Sequence, residues 1–363
     1  MVEWKKLGDS CRTIAPPKKL EKELYKDQGA YPIIDQGKND IVGYTDDETA
    51  LVPINEYVLF GDHTRYVKYY HGKFAQGADG LKILLAVDGI LPRFLFFSFE
   101  NTEVPSRGYS RHWSIAKDLL IPIPSLSEQQ RIVGILDTFI ASIDNLKEQI
   151  AQRRKQYEYY RDQLLDLEGK PDKDIHSWGE FCEIEKGNGV QKADFVDEGV
   201  GCIHYGQIYT HYGSYTYQTN KFVSEEVFQN ARKASKGDIV MTDTSENVED
   251  ICKSVAWLGD GEIAVSNHAL ILKHHQDPKF LSFSTQVHSF FVQKRKVVFG
   301  AKVSGIKPEH FAQIRIYLPS LREQQRIVSI LDTFEASIQN LEAQLKQREK
   351  QYEYYRNKLL TFE

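Results

Sequence analysis

Cysteine is scarce in this chain, and its four cysteines are far apart. Cys11, Cys182, Cys202 and Cys252 include no pair at the C-x-x-C spacing. That distribution argues against a disulfide framework and against a thiolate zinc site, and it suits a reducing compartment. We therefore expect an intracellular protein that is not held together by disulfides.

Long hydrophobic runs are also missing. The most apolar stretch, residues 94–99 (FLFFSF), is far shorter than the roughly 20 residues of a membrane-spanning helix. The first residues, Met1-Val-Glu-Trp-Lys-Lys, lack the apolar centre of a secretory signal. These absences predict a soluble, cytoplasmic protein with no membrane partner.

Motifs for nucleotide or methyl-group chemistry are absent from the sequence. There is no G-x-x-x-x-G-K-[ST] phosphate loop. There is also no N-P-P-[YF] run of the kind that holds a flipped adenine. Gly187-x-Gly189 alone is a weak candidate for a cofactor loop. His268, His274 and His275 lack a cysteine or carboxylate at helical spacing that would complete a metal site. We expect no catalytic residue, no bound cofactor and no metal in this chain.

A positive net charge, which would favour nucleic acid, is missing too. The chain has 46 lysines and arginines against 51 acidic residues, a formal net charge of −5. Any electrostatic attraction to DNA must therefore come from local patches. The 363 residues, 41% hydrophobic and 27% charged, fit a globular protein of two to four structural units.

What the sequence does contain is a long internal repeat. Residues 124–168 and 319–363 align without a gap at an offset of 195, with 32 identities in 45 positions. Both copies open with P-S-L-x-E-Q-Q-R-I-V-x-I-L-D. A match this long indicates one structural unit used twice.

Each copy is predicted to form one long helix. A proline precedes Ser125 and Ser320, and each serine stands three residues before a glutamate, which is the spacing of a capping box. Apolar residues then recur at alternating steps of four and three, the spacing of a left-handed coiled coil. The seam consists of Ile132, Leu136, Phe139, Ile143, Leu146, Ile150, Tyr157, Tyr160 and Leu164, and of the residues 195 positions later. Arg153 and Arg348 interrupt it.

Two helices with matching seams would most simply pack on each other. We expect an antiparallel coiled coil with approximate two-fold symmetry, which would place the intervening segments at opposite ends. A plain dimerisation coil is the alternative. It does not account for the near-identity of outward-facing residues such as 128–131 (EQQR) and 351–354 (QYEY), because packing of the seam does not require it. Two equivalent outer surfaces suggest two copies of a partner.

The segments outside the repeat, residues 1–123 and 169–318, have no comparable gapless match to each other. Both begin near a tryptophan, Trp4 or Trp178, and both end on an apolar run that leads into the helix. Short β-rich runs punctuated by glycine predict a compact mixed α/β domain for each. We call them the first head and the second head. The predicted fold class is α+β, with two mixed α/β heads separated by two long helices, 124–168 and 319–363.

The chain resembles the specificity subunits of type I restriction–modification systems over essentially its whole length. The resemblance rests on the repeated helix opening, the long helix repeat and the segment Trp4-Lys-Lys-Leu-Gly8. In the first head it extends to residues 31–44 (YPIIDQGKNDIVGY), 61–63 (GDH) and 77–80 (GADG). It implies that each head is a target-recognition domain that reads one half of a bipartite, asymmetric DNA site.

The resemblance also implies a set of partners. The paired helices would set the spacer between the half-sites and dock two methyltransferase subunits, for which the repeated E-Q-Q-R segments are the candidate surfaces. These candidate residues are Glu128, Gln129, Gln130, Arg131, Glu323, Gln324, Gln325 and Arg326. The partners would use S-adenosylmethionine to methylate adenine N6 after flipping the base. Motor–nuclease subunits, which use ATP and Mg, would join for translocation and cleavage, and this chain would be noncatalytic.

Candidate DNA contacts come from stretches that carry cations and lack acidic residues, namely 63–78, 104–117 and 278–308. Phosphate contacts need lysine, arginine or backbone amides, and base edges need directed polar groups. The last two stretches precede the helices, and by similarity to the family we expect these loops to face DNA. The predicted residues of the first head are Lys38, Asn39, His63, Arg65, Lys68, Lys73, Arg107, Tyr109, Arg111 and His112. Those of the second head are Lys186, Asn188, Gln191, Lys192, Gln207, Asn267, His268, Lys294, Arg295, Lys296, Lys302, Ser304 and Lys307. For each, the alternative is an ordinary solvated loop.

Functions from two other classes stay open at this point. A self-sufficient enzyme with an unfamiliar site would methylate or cut DNA as a single chain. An interaction scaffold with peptide-binding heads would bind DNA not at all or without salt dependence, whereas phosphate contacts weaken as ionic strength rises. Because the chain is acidic overall, we predict weak DNA binding by the chain alone and strong binding once the methyltransferase subunits are attached.

Overall fold

A computed structural model of the chain describes residues 2–77, 79–300 and 303–362. By their contacts the residues form two compact units. Unit 1 comprises Met1–Glu148 and Glu342–Glu363, and unit 2 comprises Gln149–Leu341. Each unit therefore contains one head together with a part of each long helix.

The first head is a mixed α/β domain, as predicted. Its strands are β1 (Glu3–Lys6), β2 (Cys11–Ile14), β3 (Tyr31–Ile34), β4 (Gly43–Thr45), β5 (Leu51–Gly61), β6 (Val67–Gln76), β7 (Leu81–Ala86) and β8 (Leu120–Ile123). Its helices are α1 (Leu7–Ser10), α2 (Pro92–Glu100) and α3 (Trp113–Ala116), and the long helix α4 (Leu126–Leu165) follows. Six strands form one sheet in the order β2-β7-β5-β6-β3-β4, and β1 pairs with β8. The apolar face of α2 closes the core between this sheet and the long helices.

The second head is also mixed α/β, but its strands are arranged differently. They are β9 (Ile175–Ser177), β10 (Glu183–Lys186), β11 (Phe195–Val196), β12 (Val200–Ile203), β13 (Tyr215–Thr216), β14 (Lys221–Val223), β15 (Lys233–Ala234), β16 (Ile239–Thr242), β17 (Thr244–Ser245), β18 (Ser254–Trp257), β19 (Ile263–Val265), β20 (Ala269–Lys273), β21 (Ser304–Gly305) and β22 (Arg315–Tyr317). Two five-stranded sheets have the orders β10-β20-β16-β18-β13 and β11-β14-β12-β19-β15. The pairs β17-β21 and β22-β9 complete the head.

The helices of the second head are short and lie between these strands. They are α5 (Trp178–Phe181), α6 (Tyr205–Thr210), α7 (Glu225–Asn230), α8 (Pro278–Ser284), α9 (His288–Val297) and α10 (Pro308–Phe311). The long helix α11 (Leu321–Leu360) ends the chain. Because the two heads differ in sheet number and strand order, their lack of sequence similarity reflects a real difference in structure.

The helices α4 and α11, of 40 residues each, confirm the helices that the repeat predicts. The Ser125 hydroxyl accepts a hydrogen bond from the Glu128 amide at 3.3 Å, which is one half of the predicted capping box. The other half of a capping box would be a hydrogen bond from the Ser125 amide to the Glu128 side chain. It is replaced, because both carboxylate oxygens of Glu128 accept hydrogen bonds from Arg131. No helix in the described ranges is long and apolar enough to cross a membrane.

In unit 1 the beginning of α4 packs against the end of α11. Leu136 and Leu360 lie buried in the same cluster. The Phe139 ring stacks on Tyr355 with 5.3 Å between centroids, and the Arg348 guanidinium lies 5.7 Å from the Phe139 centroid. Residues early in one helix meet residues late in the other, which confirms the predicted antiparallel pairing.

Unit 2 repeats these contacts with the roles of the helices exchanged. Tyr160 stacks on Phe334 at 5.4 Å, and the Arg153 guanidinium lies 5.8 Å from the Phe334 centroid. Arg153 and Arg348 are the two polar breaks in the seam. Each lies over a phenylalanine of the opposite helix, and this cation–π contact explains how an arginine fits among apolar residues.

A buried glutamine near the start of α4 joins the first head to that helix. The Gln129 Nε2 donates to the carbonyls of Pro124 and Gly89 at 2.9 and 3.1 Å. Its Oε1 accepts from the Leu91 amide at 2.9 Å, just before α2 begins. The side chain is 0% exposed, so Gln129 cannot contact a docking partner, and that part of the docking prediction is wrong.

Gln324, at the equivalent position of α11, makes the same junction in the second head. Its Nε2 donates to the Pro319 carbonyl at 2.8 Å and to Gln276 Oε1 at 2.9 Å, and its Oε1 accepts from the Asp277 amide at 3.0 Å. Gln324 is 0% exposed as well and is removed from the docking prediction for the same reason. Both glutamines hold the backbone that leads into a head helix, α2 or α8.

An ion pair beside each glutamine strengthens the junction. Arg93, at the start of α2, lies 2.8 Å from Asp137 of α4, and Lys279, at the start of α8, lies 2.9 Å from Asp332 of α11. The two aspartates occupy the same position of the repeat. The segments that form this junction are similar in the two heads: residues 92–98 read PRFLFFS and residues 278–284 read PKFLSFS. The match is only seven residues long, so the heads look unrelated when their whole sequences are compared.

The two tryptophans near the head openings are not structurally equivalent. The Trp178 amide donates to the Ile314 carbonyl at 3.0 Å, and the matching bond in the first head runs from the Leu7 amide to the Leu119 carbonyl at 2.8 Å. Trp178 is buried at this position, whereas Trp4 lies three residues earlier and is half exposed. The buried opening residue is therefore Leu7 in one head and Trp178 in the other.

One carboxylate of α11, beside the seam in unit 2, predicts a pH-dependent stability. Glu335 occupies the position of Ile140 in the repeat, and its Oε1 lies 3.3 Å from the Tyr157 hydroxyl. Burial raises the pKa of Glu335 above its ordinary 4.5. The native state then binds this proton more tightly than the unfolded chain, so stability falls as pH rises from about 4.5 through the raised pKa.

We expect Glu335→Gln to raise the free energy of unfolding at pH 7 and to flatten this decline, because glutamine keeps an acceptor for Tyr157 without the buried charge. Urea denaturation at several pH values between about 4 and 8 measures the effect. Glu309→Gln, on the exposed surface of the second head, is the matched control and should leave the profile unchanged. A Glu335→Gln protein less stable than the parent at pH 7 would contradict this account.

The glutamine junctions predict a second, position-specific effect. Gln129→Leu and Gln324→Leu each leave buried backbone groups without a hydrogen-bond partner, which costs about 1–3 kcal/mol per group. We expect lower unfolding free energy and faster amide exchange at Leu91 and Asp277, respectively, measured by denaturation and hydrogen exchange. The exposed neighbours, Gln130→Leu and Gln325→Leu, are the controls; equal destabilisation by them would show that burial of the amide is not the cause.

Candidate DNA interface

Three loops of the first head meet on one surface, which we call the first-head surface. It consists of residues 36–39, 63–65 and 107–112. Gln36 Oε1 accepts from the His63 amide at 3.1 Å, and the His63 ring stacks on Tyr109 at 5.0 Å. The Arg65 guanidinium donates to the Val104 carbonyl at 3.0 Å. These contacts bring together predicted residues that are up to about 70 positions apart in the sequence.

Most of the predicted residues on this surface are accessible. The exposed ones are Lys38, Asn39, Arg65, Arg107, Tyr109 and Arg111, and His63 is half buried. Lys73 is exposed on β6, and its role stays a prediction. The first-head surface therefore offers cationic, amide and aromatic groups to a ligand.

His112 supports this surface from below and is not accessible. Its ring is 0% exposed. Nδ1 lies 3.0 Å from the Asp62 carbonyl, and Nε2 accepts a hydrogen bond from the Arg107 amide at 3.1 Å. An accepting Nε2 requires the proton on Nδ1, which then donates to Asp62. The prediction that His112 contacts DNA is wrong, because both ring nitrogens hold the loop that carries Arg107.

Lys68 is buried in the same way. It is 7% exposed, and its Nζ donates to the Asp35 carbonyl at 3.1 Å and to the Asn39 carbonyl. Burial lowers the pKa of this ammonium group. Lys68 therefore fixes the loop 36–39 from inside instead of reaching a phosphate, which corrects its assignment as a DNA contact.

The second head brings its predicted stretches together as well, on what we call the second-head surface. It consists of residues 186–192, 204–207, 243–244 and 266–268. The Gly189 amide donates to Asn267 Oδ1 at 3.0 Å, and the Tyr205 amide donates to Ser266 Oγ at 2.8 Å. The Tyr205 and His268 rings meet edge to face at 5.3 Å. The loops before β11, at α6 and before β20 thus form one site.

A depression of about 370 Å³ lies in the middle of this surface. It is lined by Val190, Gln191, Lys192, His204, Tyr205, Asn267 and His268. Four of the predicted residues line it, and Asn188 is exposed beside it. Gln207 is less available, because its Oε1 accepts from the His204 amide at 3.1 Å and its Nε2 donates to Asn220.

An aspartate beneath the second-head surface offsets part of its positive charge. The Asp243 carboxylate is almost fully buried and lies 2.9 Å from Lys186 Nζ and 3.9 Å from His268 Nδ1. Thr244 donates a further hydrogen bond to it at 2.8 Å. Lys186 is consequently paired before any phosphate approaches, which reduces its attraction for DNA.

Further predicted residues of the second head separate into buried and exposed groups. Lys294 is 5% exposed, and its Nζ donates to the carbonyls of Glu249 and Ile251 at 2.9 and 2.8 Å. Ser304 is buried in β21, where it lies opposite Ser245 of β17. Neither side chain can contact DNA directly, which corrects both assignments. Arg295, Lys296 and Lys307 are exposed, and Lys302 lies outside the described residues.

The repeated E-Q-Q-R segments present the same ion pair on both long helices. Glu128 pairs with Arg131, and Glu323 with Arg326, at 2.6 Å in both cases. The arginine hydrogen bonds hold the pKa of each glutamate below its ordinary value. Gln130 and Gln325 are exposed beside these pairs. After removal of the two buried glutamines, six of the eight predicted docking residues remain on matched outer surfaces.

The chemistry that these surfaces offer is binding through hydrogen bonds and charge. Burial raises the pKa of all four cysteines to about 12, so each thiol is protonated near neutral pH and is a poor nucleophile. Among the described residues, no group of three or more histidines, cysteines and carboxylates is placed to hold a metal ion. Lysine, arginine and amide side chains on loops are the groups that contact phosphates and base edges.

Comparison with known proteins gives the family. A family model described as the type I restriction modification DNA specificity domain matches residues 1–153 and 172–349. The Escherichia coli type I restriction enzyme EcoR124I/EcoR124II specificity subunit is 28% identical over 397 residues, which covers 99% of this chain and 94% of that relative.

Solved structures show the same fold at low identity. The S subunit of a type I restriction–modification system from M. genitalium superposes with a TM-score of 0.61 at 16% identity and covers 100% of this chain and 97% of its own. A chain from a structure on complex assembly and conformational transition of the type I system gives a TM-score of 0.59 at 15% identity, covering 99% and 96%. With the family model matching most of its length, this chain belongs to the family of type I restriction–modification specificity subunits, the noncatalytic DNA-recognition components of restriction–modification complexes.

Proposed function

We propose that this chain reads a bipartite DNA site, with the first head reading one half-site and the second head the other. The observation that carries the proposal is a duplicated head–helix junction beneath two unlike heads. The buried glutamine and the cation–aspartate pair recur in both units with the same partners on the long helix. Because the same junction carries two different head surfaces, the heads are suited to binding two different half-sites in the same geometry.

The two head surfaces have the groups that reading DNA requires. Exposed cations such as Arg107, Arg111 and Lys192 suit phosphates, and amide side chains such as Asn39 and Asn267 suit base edges. The two heads differ in sequence and in strand order, so the half-sites that their surfaces read would also differ. An asymmetric site follows from unlike heads.

The long helices would set the spacer between the half-sites. A helix of 40 residues is about 60 Å long, and successive major grooves on one face of DNA are about 34–36 Å apart. A stiff rod of this length is compatible with heads that engage grooves one or more turns apart. The buried junctions would transmit the helix length to the heads, because they oppose any tilt of a head on its helix.

The six remaining residues of the E-Q-Q-R segments, on matched outer surfaces of the two long helices, would dock two methyltransferase subunits. Those subunits would bind S-adenosylmethionine and methylate adenine N6 after base flipping. Motor–nuclease subunits would add ATP- and Mg-dependent translocation and cleavage. This chain would contribute recognition without a cofactor of its own, in the cytoplasm where the DNA and these partners are present.

The charge of the chain favours DNA binding within such a complex over binding by the chain alone. Its net charge is −5, and Asp243 already pairs with Lys186 beneath the second-head surface. Phosphate neutralisation supplies much of the affinity of a DNA-binding protein. We therefore propose weak, salt-sensitive binding by the free chain and tight binding once the methyltransferase subunits add their own contacts.

Exchange of one head tests the division of the site. Replacing residues 1–123 with the first head of another family member should change one half of the methylated sequence and leave the other half unchanged. Mapping N6-methyladenine across the genome of cells that express the chimera with its methyltransferase measures this. Replacement of 169–318 is the reciprocal control. A chimera that changes both half-sites, or neither, would rule out independent reading by the heads.

A length change in the helices tests the spacer. Insertion of one heptad in the middle of both α4 and α11 keeps the seam in register and adds about 10 Å. Since stacked bases lie about 3.4 Å apart along a strand, the spacer in the methylated site should lengthen by about three base pairs while both half-sites stay the same. The same genome mapping reads this out, and an unchanged spacer would refute the role of the helices in setting it.

Charge reversal in the E-Q-Q-R segments tests the docking surfaces. Arg131→Glu or Arg326→Glu places two like charges at an i, i+3 spacing and removes the outer cation. Each single variant should bind one methyltransferase subunit instead of two, and the double variant none, as measured by native mass spectrometry. Arg322→Glu, an exposed change at an unrepeated position, is the control. Retention of two subunits by the double variant would place the docking surface elsewhere.

A further inference from the structure

One aromatic side chain of the first-head surface stands out by its exposure. Tyr109 is 91% exposed, more than any other large hydrophobic residue in the described ranges. The His63 ring lies beside one face of the Tyr109 ring, with centroids 5.0 Å apart and planes inclined by 16°. The other face is therefore open to solvent and backed by a second ring.

The loop that carries Tyr109 is anchored at several points. The Arg107 amide donates to His112 Nε2 at 3.1 Å, and the Ser110 hydroxyl donates to the Arg107 carbonyl at 3.1 Å. Gly108 has a φ of 66°, which glycine adopts without strain. These bonds fix the two ends of the turn, so the backbone that carries the ring is held in place before any ligand arrives.

The charge of the loop that carries Tyr109 fits a nucleic acid. Arg107 and Arg111 flank it at two residues on either side and are both exposed, and residues 104–117 contain no acidic side chain. An aromatic ring between cations is the combination that stacks on bases while the cations meet phosphates. An aromatic contact with a protein partner would not need a cation on each side.

We propose that Tyr109, backed by His63, inserts against a base in the half-site read by the first head and opens one base step there. Side chains that enter a base step in this way partly unstack it and kink the duplex. The free energy needed to unstack a base step is smallest at flexible pyrimidine–purine steps. Tyr109 would therefore favour such a step without hydrogen-bonding to either base. The corresponding loop of the second head, residues 303–307 (VSGIK), has no aromatic residue, so we expect no equivalent wedge from that loop.

This inference rests on the proposed function, and the test separates the two. The full chain is reconstituted with its methyltransferase subunits on a duplex that contains the mapped site. A 2-aminopurine probe is placed at successive positions of each half-site other than the target adenine and its neighbours, where base flipping by the methyltransferase would itself raise the fluorescence. We expect a fluorescence rise on binding at one step of the first half-site only, because the probe brightens when it loses its stacking neighbour.

Three variants distinguish insertion of the Tyr109 ring from a phosphate contact. Tyr109→Ala should abolish the fluorescence rise and weaken binding about 5- to 150-fold, as expected for loss of one stacked base. Tyr109→Phe, which keeps the ring, should behave as the parent. Arg111→Ala should weaken binding and lower its salt dependence but keep the fluorescence rise, because it removes a phosphate contact only.

The outcomes are distinguishable. If the parent complex methylates a bipartite site but shows no fluorescence rise, or if Tyr109→Ala binds as tightly as the parent, the wedge is refuted and the proposed function stands. If the complex shows no sequence-specific binding and head exchange leaves the methylated site unchanged, the proposed function fails and the wedge with it. An equal fluorescence rise in both half-sites would also overturn the assignment to Tyr109.

Discussion

The buried glutamine at the start of each long helix is the contact on which the rest of the structure depends. An amide side chain donates and accepts at one place, so Gln129 can bind the backbone of its own helix start and that of the head together. Gln324 does the same in the second head. A buried amide without these partners would be costly, and the head is therefore held at one angle to its helix.

This junction also explains how one scaffold carries two different heads. Each head needs only a short helix that begins with proline and a cation, α2 or α8, to meet the glutamine and the aspartate of the repeat. The remainder of the head is free of that constraint, and the sheets of the two heads differ accordingly. The segment of each head that this contact constrains is seven residues long, 92–98 in the first head and 278–284 in the second. Outside that segment the two head sequences look unrelated.

The sequence predicted the helices, their antiparallel pairing and the mixed heads, because periodicity and capping are local properties of the chain. It also named most of the loops that form each head surface, but not that they come together, and their DNA contacts stay a prediction. It could not identify which cations and polar residues would be buried. Lys68 and Lys294 resemble phosphate contacts in the sequence, yet their carbonyl partners lie 33 and 43 residues away, at Asp35 and Ile251. In the same way, Gln129 and Gln130 are neighbours in one repeated motif, but a helix turns about 100° per residue and faces one inward and the other outward.

The buried lysines have a consequence for how recognition changes over time. Lys68 and Lys294 each tie loop carbonyls of their head together from inside, so the path of the backbone there is determined by residues that solvent does not reach. Exposed side chains on the same loops can then be replaced without disturbing that path. If the first-head surface reads DNA as proposed, new specificities would arise by single exchanges on a preserved frame, whereas loss of Lys68 would release the loop that carries Lys38 and Asn39.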